Sequence, residues 1–450
     1  MLNRSLLLDL YELTMSASLS EHKVNLQATF DLFVRRLPQN RSFLIACGLE
    51  NALKFLEGFS FTGQDIDYLR KKGIFKSGFL DYLRTVKFRG TVYALPEGTV
   101  FFPNEPILRV TAPIQEAQIV ESYLLNTFNI ASTICSKSAR VVLSAQGRGV
   151  YDFSLRRTQG LDAAIIASRS SYIAGCAGTS NVLAGFLYGI PTSGTMAHSF
   201  VMSFPDELSS FRAYAATFPD STTLLVDTYD YKKGIANAVK TAKELEKSGH
   251  RLKAIRLDSG NLSGISQSAR SSLDTQGLNY VKIMASGNLD EYKIEKLLES
   301  GCLIDSFGVG TNMGTSNDAP YLDVIYKLSQ VENSNGEKHP VMKLSEDKIT
   351  YPGKKQVYRN YDQRGRLVKD VLALEEEKIE GKALLEKMME NGKIIYPLPD
   401  LERIRSFTQE NIKSLPGKYK KLKGNEVYPV VVSAGLKKMV STVRGRIKSK

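Results

Sequence analysis

The residues of this chain that could do phosphoryl chemistry recur at matching places. His198, in the stretch GIPTSGTMAHSF from Gly189 to Phe200, carries an imidazole. Imidazole moves protons near neutral pH, and its nitrogen can attack phosphorus to give a covalent intermediate. Taken alone, a histidine reads as a buried ring satisfied by a backbone carbonyl, so the company it keeps decides. YDFSLRRTQG supplies Asp152, Phe153, Arg156 and Arg157, LLVDTYD supplies Asp227 and Asp230, and IRLDSGN supplies Arg256, Asp258 and Gly260. ASGN and FGVGT supply Gly287, Gly308, Gly310 and Thr311, small-residue loops whose backbone amides could cradle a phosphate. Each motif has a plainer reading: Asp258 as a helix N-cap, Arg156 in a structural ion pair, Phe153 as core. GVGT falls short of a G-x-x-x-x-G-K-[ST] loop, and no G-x-G-x-x-G follows a strand. Together, glycine loops, arginines, acids and one histidine at corresponding positions describe a site for a phosphorylated ligand.

The elements that must position these groups follow from the pattern after Arg148. Short apolar runs predict strands at Gly149 to Phe153, Ile190 to Thr195, Thr223 to Asp227, Lys253 to Leu257, Val281 to Ala285 and Ile304 to Gly308. Amphipathic runs separate them, the clearest being KKGIANAVKTAKELEKSG, with Ile235, Val239, Ala242 and Leu245 at three- and four-residue spacing. Alternation of this kind predicts a parallel sheet, because parallel neighbours need crossovers and helices supply them. A closed or nearly closed barrel is the first expectation and an open doubly wound sheet the second. In such barrels catalytic groups gather at the C-terminal ends of the strands, where these motifs lie.

Before the alternation, residues 25–110 carry β-type runs around a helix-like stretch near 48–57, and a helical stretch follows from about Ile114 to Ala145. Beyond Leu328, HPVMKLSEDKITYPGKKQVYR reads as strands and turns, and the charged LALEEEKIEGKALLEKM reads as an exposed end. The expected division is an α+β domain over 1–113, a barrel over 114–328, and a C-terminal region over 329–450 that folds back on the first.

The 450 residues include 60 Lys and Arg against 47 Asp and Glu, a net charge of +13 that attracts anions without naming them. Much of the excess sits in 415–424 and 436–450, which read as solvated faces. Basic and aromatic residues do not interleave, which speaks against nucleic acid as a specific partner. The four cysteines are scattered without C-x-x-C spacing, so neither a zinc site nor a disulfide framework is expected, and no metal-ligating set stands out. No stretch is long and apolar enough to span a bilayer, and a soluble, cytoplasmic protein with no membrane partner is expected.

YDFSLRRTQG, GTSNVLAG, GTMAHSF, LLVDTYD, IRLDSGN and DSFGVGT, with DLYELTM near the start and YPGKKQVYR near the end, resemble in order the motifs of the nicotinate phosphoribosyltransferase family, the type II phosphoribosyltransferases. The likeness runs from about Leu8 to Val371. It implies an α/β fold, an incomplete α/β barrel with an α+β N-terminal domain completed by the C-terminal region, in a homodimer with shared active sites. The implied activity joins nicotinate to phosphoribosyl pyrophosphate, giving nicotinate mononucleotide and pyrophosphate, with ATP as co-substrate and Mg²⁺ as cofactor. By resemblance His198 is the transiently phosphorylated histidine, Phe153 stacks on the pyridine, and Tyr11 is a second stacking residue lent by the partner subunit. Arg256 and Asp258 match positions near base and ribose, with Asp258 counted beside His198 as catalytic. Arg156 is the candidate for the nicotinate carboxylate, which a planar guanidinium binds bidentately. Gly287, Gly308, Gly310 and Thr311 would approach the ribose 5-phosphate, and Arg35 and Lys355 would reach the pyrophosphate. Ser180 stands where related nicotinamide enzymes carry an Asp that would repel nicotinate, and so favours the acid. The alternatives are a nicotinamide phosphoribosyltransferase and a catalytically idle homologue used as a binding module. Ser154 departs from the family's usual Gly and Gln159 from a frequent His, while Asn261 and Asn312 have no reading from sequence.

Overall fold

A computed structural model describes residues 4–345, 350–424 and 426–449. The chain forms two compact units, Ile134–Pro320 and a second made of Met1–Thr133 with Tyr321–Lys450. Among the described residues no helix is long and apolar enough to cross a membrane.

The Ile134–Pro320 unit is the expected barrel, left incomplete. Six parallel strands lie in the order Gly178–Thr179, Gly149–Asp152, Ser306–Val309, Lys282–Ala285, Ala254–Leu257 and Thr223–Leu225, and the two outer strands do not pair with each other. Leu224, Ile255, Ile283 and Phe307 are wholly buried, as expected of strands covered on both faces. The Tyr231–Lys247 helix buries Ile235, Ala238, Ala242 and Leu245, close to the predicted stripe. Asn181, Asp206, Asp230, Asn261 and Asp290 each cap a crossover helix by accepting a backbone N–H from its first turn. Such caps contribute about 1 kcal/mol each and fix where each loop ends. Asp230 and Asn261 are therefore accounted for as caps.

One predicted strand is corrected. Residues 190–195 form no strand and make a single parallel bridge, Thr192 to Thr179. Pro191 has no N–H to give a ladder, although its carbonyl accepts from Thr179 N at 3.0 Å. The missing strand is Gly178–Thr179, where a Cβ on Gly178 would lie 2.5 Å from the Pro191 oxygen.

The other unit is built on a seven-stranded sheet in the order Lys338–Pro340, Val324–Glu332, Gln27–Val34, Pro106–Pro113, Thr91–Ala94, Glu386–Glu390 and Lys393–Ile394. The pairing of Val324–Glu332 with Gln27–Val34 is antiparallel and joins the unit's two chain segments in one sheet. Residues 114–133 and 321–328, expected with the barrel, thus fall in this unit. A four-stranded sheet, Lys382–Ala383, Lys355–Tyr361, Leu367–Leu374 and Val430–Val432, completes it. The stretch expected as an exposed end is corrected: Leu372, Leu374, Leu384, Leu385 and Met388 are buried, Met388 in the Glu386–Glu390 strand that pairs with Thr91–Ala94. The part of the predicted strand-and-turn segment at 346–349 lies outside the described residues.

Candidate active site

The C-terminal ends of the parallel strands bring His198, Asp227, Arg256, Asp258 and Ser286 together. Arg256 leaves the Ala254–Leu257 strand with its guanidinium largely buried and spends it on four groups. Nε donates to Ser286 Oγ at 2.8 Å, Nη1 to Thr195 Oγ1 at 2.9 Å and the Met196 carbonyl at 3.3 Å, and Nη2 to Asp258 Oδ1 at 2.7 Å. Ser286 Oγ donates to the same Asp258 oxygen. Asp258 Oδ2 is left facing His198 Nε2 at 3.8 Å. Burial alone raises the Asp258 carboxyl, but the hydrogen bonds from Ser286 and Arg256, with the Arg256 charge, outweigh it and hold the group below the ordinary carboxylate range. Asp258 is thus a fixed anion and not the helix cap, a role that Asn261 takes.

His198 opens a short helix, His198–Met202, with its side chain 41% exposed. Its Nδ1 shares a hydrogen bond with Thr228 Oγ1 at 3.1 Å. One ring nitrogen is held by a hydroxyl while the other turns toward a carboxylate, and the half-exposed ring can meet a ligand. Asp227 supports this corner from below: its Oδ2 accepts from Asp258 N at 2.9 Å and Ser259 Oγ at 2.7 Å, and its Oδ1 is buried with no hydrogen-bond partner among the described residues.

The aromatic side of the site is made by Phe153. Its N–H donates to Val309 O at 2.9 Å, its ring covers Gly308, and the Arg256 guanidinium carbon lies 5.8 Å from the ring centroid. Asp152, which precedes it, is a buried scaffold: Oδ1 accepts from Ser154 N, and Oδ2 accepts from Ser168 Oγ and from Thr179 Oγ1 at 2.8 Å. Ser180 N donates to the Asp152 carbonyl at 2.8 Å, so a half-buried Ser180 sits across the strand end from Phe153. Arg156 follows in an exposed turn, with no ion-pair or hydrogen-bond partner for its guanidinium among the described residues, free to take an anion. The two glycine loops lie at neighbouring strand ends. A Cβ on Gly287, whose φ is +96°, would fall 1.8 Å from the Asp258 carbonyl oxygen, so only glycine fits there. Behind this loop, buried Glu291 pairs with Lys137 at 2.5 Å and Arg140 at 3.1 Å, anchoring the helix that follows.

Residues 6–129, 149–376 and 378–440 match, in turn, the nicotinate phosphoribosyltransferase (NAPRTase) N-terminal domain, the nicotinate phosphoribosyltransferase (NAPRTase) family and the nicotinate phosphoribosyltransferase C-terminal domain. The chain belongs to the nicotinate phosphoribosyltransferase family. It is 45% identical over 433 residues to nicotinate phosphoribosyltransferase pncB2 of Mycobacterium tuberculosis, covering 95% of this chain and 91% of that one. It is 36% identical to the nicotinate phosphoribosyltransferase of Bacillus subtilis, covering 95% and 93%. The crystal structure of human nicotinic acid phosphoribosyltransferase superposes with a TM-score of 0.84 at 29% identity, over 97% of this chain and 99% of that one.

Within this nicotinate phosphoribosyltransferase fold, the sequence-predicted residues divide in two. Phe153, Arg156, Ser180, His198, Arg256, Asp258, Gly287, Gly308, Gly310 and Thr311 all lie in the barrel unit at its strand ends or in the loops that follow them. Tyr11, Arg35 and Lys355 lie in the other unit. Tyr11 is 45% exposed on the Leu10–Glu21 helix, its phenol raised by partial burial and by the nearby Glu121, Glu12 and Asp9 carboxylates. Arg35 directly follows the Gln27–Val34 strand and is half-buried. Lys355 is buried, paired with Asp31 at 2.7 Å and donating to the Tyr351 and Gly353 carbonyls at 2.8 and 2.6 Å. Those bonds use its three donors inside the core, which leaves none for a pyrophosphate. Thr195, Thr228 and Ser286 belong to the site and were not singled out from sequence. They lie within GTMAHSF, LLVDTYD and ASGN, but a hydroxyl carries no spacing signal.

Proposed function

We propose that the protein is an ATP-assisted nicotinate phosphoribosyltransferase that makes nicotinate mononucleotide for NAD salvage. The observation that carries this reading is the half-exposed His198, with Nε2 facing Asp258 Oδ2 at 3.8 Å while Arg256 and Ser286 hold the same carboxylate. In the transfer itself the pyridine nitrogen attacks C1 of the ribosyl group and the C1–O bond to pyrophosphate breaks. Phe153 would stack on the ring, Arg156 would hold the nicotinate carboxylate, and Asp258, an anion beside the ribose, would stabilise the positive charge that develops at C1. The loops at Gly287 and at Gly308 to Thr311 would give backbone amides to the 5-phosphate. Ser180 would present a neutral hydroxyl where a carboxylate would repel the acid substrate.

In the ATP step a His198 ring nitrogen attacks the γ-phosphorus, the bond to the ADP oxygen breaks, and water later releases the phosphate from the ring. Asp258 would steady the cationic imidazole that forms. Mg²⁺ would supply charge neutralisation of the polyphosphates. Among the described residues no group of three or more His, Cys, Asp and Glu could hold a metal ion. The unpaired Asp227 Oδ1 is the buried oxygen here with capacity left for it or its water. The exposed Tyr11 supports the homodimer in which that ring is lent to the partner's site. The cysteines are buried and scattered through the chain, in keeping with a reducing, cytoplasmic setting.

The test supplies nicotinate or nicotinamide with phosphoribosyl pyrophosphate and Mg²⁺, with and without ATP, and measures mononucleotide. Product from nicotinate, raised by ATP, is expected; its absence removes the reading. His198→Ala is expected to lose acid-labile protein phosphate and ATP stimulation while keeping slow ATP-independent transfer. A variant still phosphorylated on histidine would remove His198 from the role.

A further inference from the structure

The loop after the Lys282–Ala285 strand and the loop after the Ser306–Val309 strand are tied together by one side chain. Asn312 Nδ2 lies 3.3 Å from the Asn288 carbonyl, 3.0 Å from Asn288 Oδ1 and 3.2 Å from the Leu289 carbonyl. All three are acceptors, so the amide faces them as donor. The two loops have little freedom elsewhere. Gly287 is pressed on the Asp258 carbonyl, and Asn288 takes a left-handed φ of +49°. On the other side a Cβ on Gly308 would strike the Phe153 ring, and one on Gly310 would lie 3.1 Å from the Phe153 oxygen. One loop is therefore set against Asp258 and the other against Phe153, and Asn312 fixes the gap between them.

We propose that Asn312 is a positioning residue that sets the affinity for the ribose 5-phosphate by holding these two loops at a fixed spacing. The inference rests on the reading above that their backbone amides receive that phosphate. Amides that converge on one anion lose their advantage when one set drifts, because the binding energy depends on preorganised donors. Lys293 Nζ, which donates to the Asn288 carbonyl at 2.6 Å, steadies the first loop from its own helix, but it does not reach the second.

The experiment compares wild type, Asn312→Ala and Asn312→Gln. Titration calorimetry with ribose 5-phosphate reads binding without turnover, and steady-state kinetics separate the KM for phosphoribosyl pyrophosphate from that for nicotinate. Loss of the bridge is expected to weaken ribose 5-phosphate and raise the KM for phosphoribosyl pyrophosphate about 10-fold, with the nicotinate KM within about 2-fold. Asn312→Gln is expected to recover part of the loss, and hydrogen exchange at residues 287–289 is expected to quicken in Asn312→Ala. Should Asn312→Ala fail to fold, the partial loss in Asn312→Gln carries the test. Wild-type affinity in Asn312→Ala, or in Asn312→Gln where Asn312→Ala does not fold, overturns the clasp alone, and so does an equal loss for both substrates. A wild-type protein that binds no ribose 5-phosphate overturns the phosphate reading and the clasp with it.

Discussion

Gly308 lies directly beneath the ring of Phe153: a methyl group there would stand 2.4 Å from Cε2 and 2.6 Å from Cδ2. Contacts that short do not exist between real atoms, so the Phe153 ring owes its place to a missing side chain on the neighbouring strand. Gly308→Ala is expected to tilt Phe153 and to raise the KM for nicotinate by about 10-fold, with a smaller effect on phosphoribosyl pyrophosphate. Kinetics with each substrate varied in turn decide it; an unchanged nicotinate KM would mean the ring does not position the base.

Arg256 connects more of the site than any pair of motifs suggested. Its guanidinium reaches Ser286, Thr195, the Met196 carbonyl and Asp258 at 2.7–3.3 Å. A lysine keeps the charge but cannot serve diverging acceptors from one planar fork. Arg256→Lys is expected to lower kcat/KM about 10- to 100-fold, the loss of one or two charge-assisted hydrogen bonds. A value within about twofold of wild type would show that charge alone suffices.

These arrangements also mark how far the sequence could be read. Asp152, Asp227 and Asp258 each close a short apolar run, so the strand ends and their chemistry were legible. The Tyr231–Lys247 helix was legible because its apolar residues keep one period over several turns. Gly178–Thr179 was not, since two residues give no alternation, and the better-looking 190–195 run contains Pro191. The segment around Leu384 to Met389 hid its buried face among Glu and Lys. Thr195, Thr228, Ser286 and Asn312 acquire partners only when separate strand ends meet. Lys355 went the other way: its motif matched, yet its donors are consumed by Asp31 and two carbonyls.

Ser154, which the sequence resemblance reads as a departure from Gly, packs opposite a glycine. A Cβ on Gly314 would lie 2.2 Å from Ser154 Cβ and 2.5 Å from its Oγ, and that hydroxyl is buried without a hydrogen-bond partner among the described residues. Gly314→Ala is expected to destabilise the protein by about 1–3 kcal/mol through overpacking. Ser154→Gly in the same chain should return most of that loss. Denaturant unfolding of the two single variants and the double variant measures the coupling, and simple additivity would refute the contact.

Glu12 offers a pH signature outside the site. Its carboxyl is fully buried, accepts from Ser122 N at 2.9 Å and from Ser122 Oγ, and has Oε2 buried without a partner among the described residues. Burial pushes it up to about 7 from an ordinary 4.5; Ser122 opposes this, and the nearby Glu121 and Asp9 charges add to it. Between those values the folded chain holds a proton that the unfolded chain has released. Its contribution is therefore complete below pH 4.5 and is lost as pH rises through 7, by up to about 3 kcal/mol. Glu12→Gln keeps the shape and removes the titration. Unfolding at about pH 5 and about pH 8 is expected to show a smaller fall in stability for the variant than for wild type. Some fall should remain, because burial also raises Glu105, Glu116 and Glu121. Identical falls in the two proteins would mean that Glu12 is already ionised at pH 5, and the carboxylate would then need a buried donor beyond Ser122.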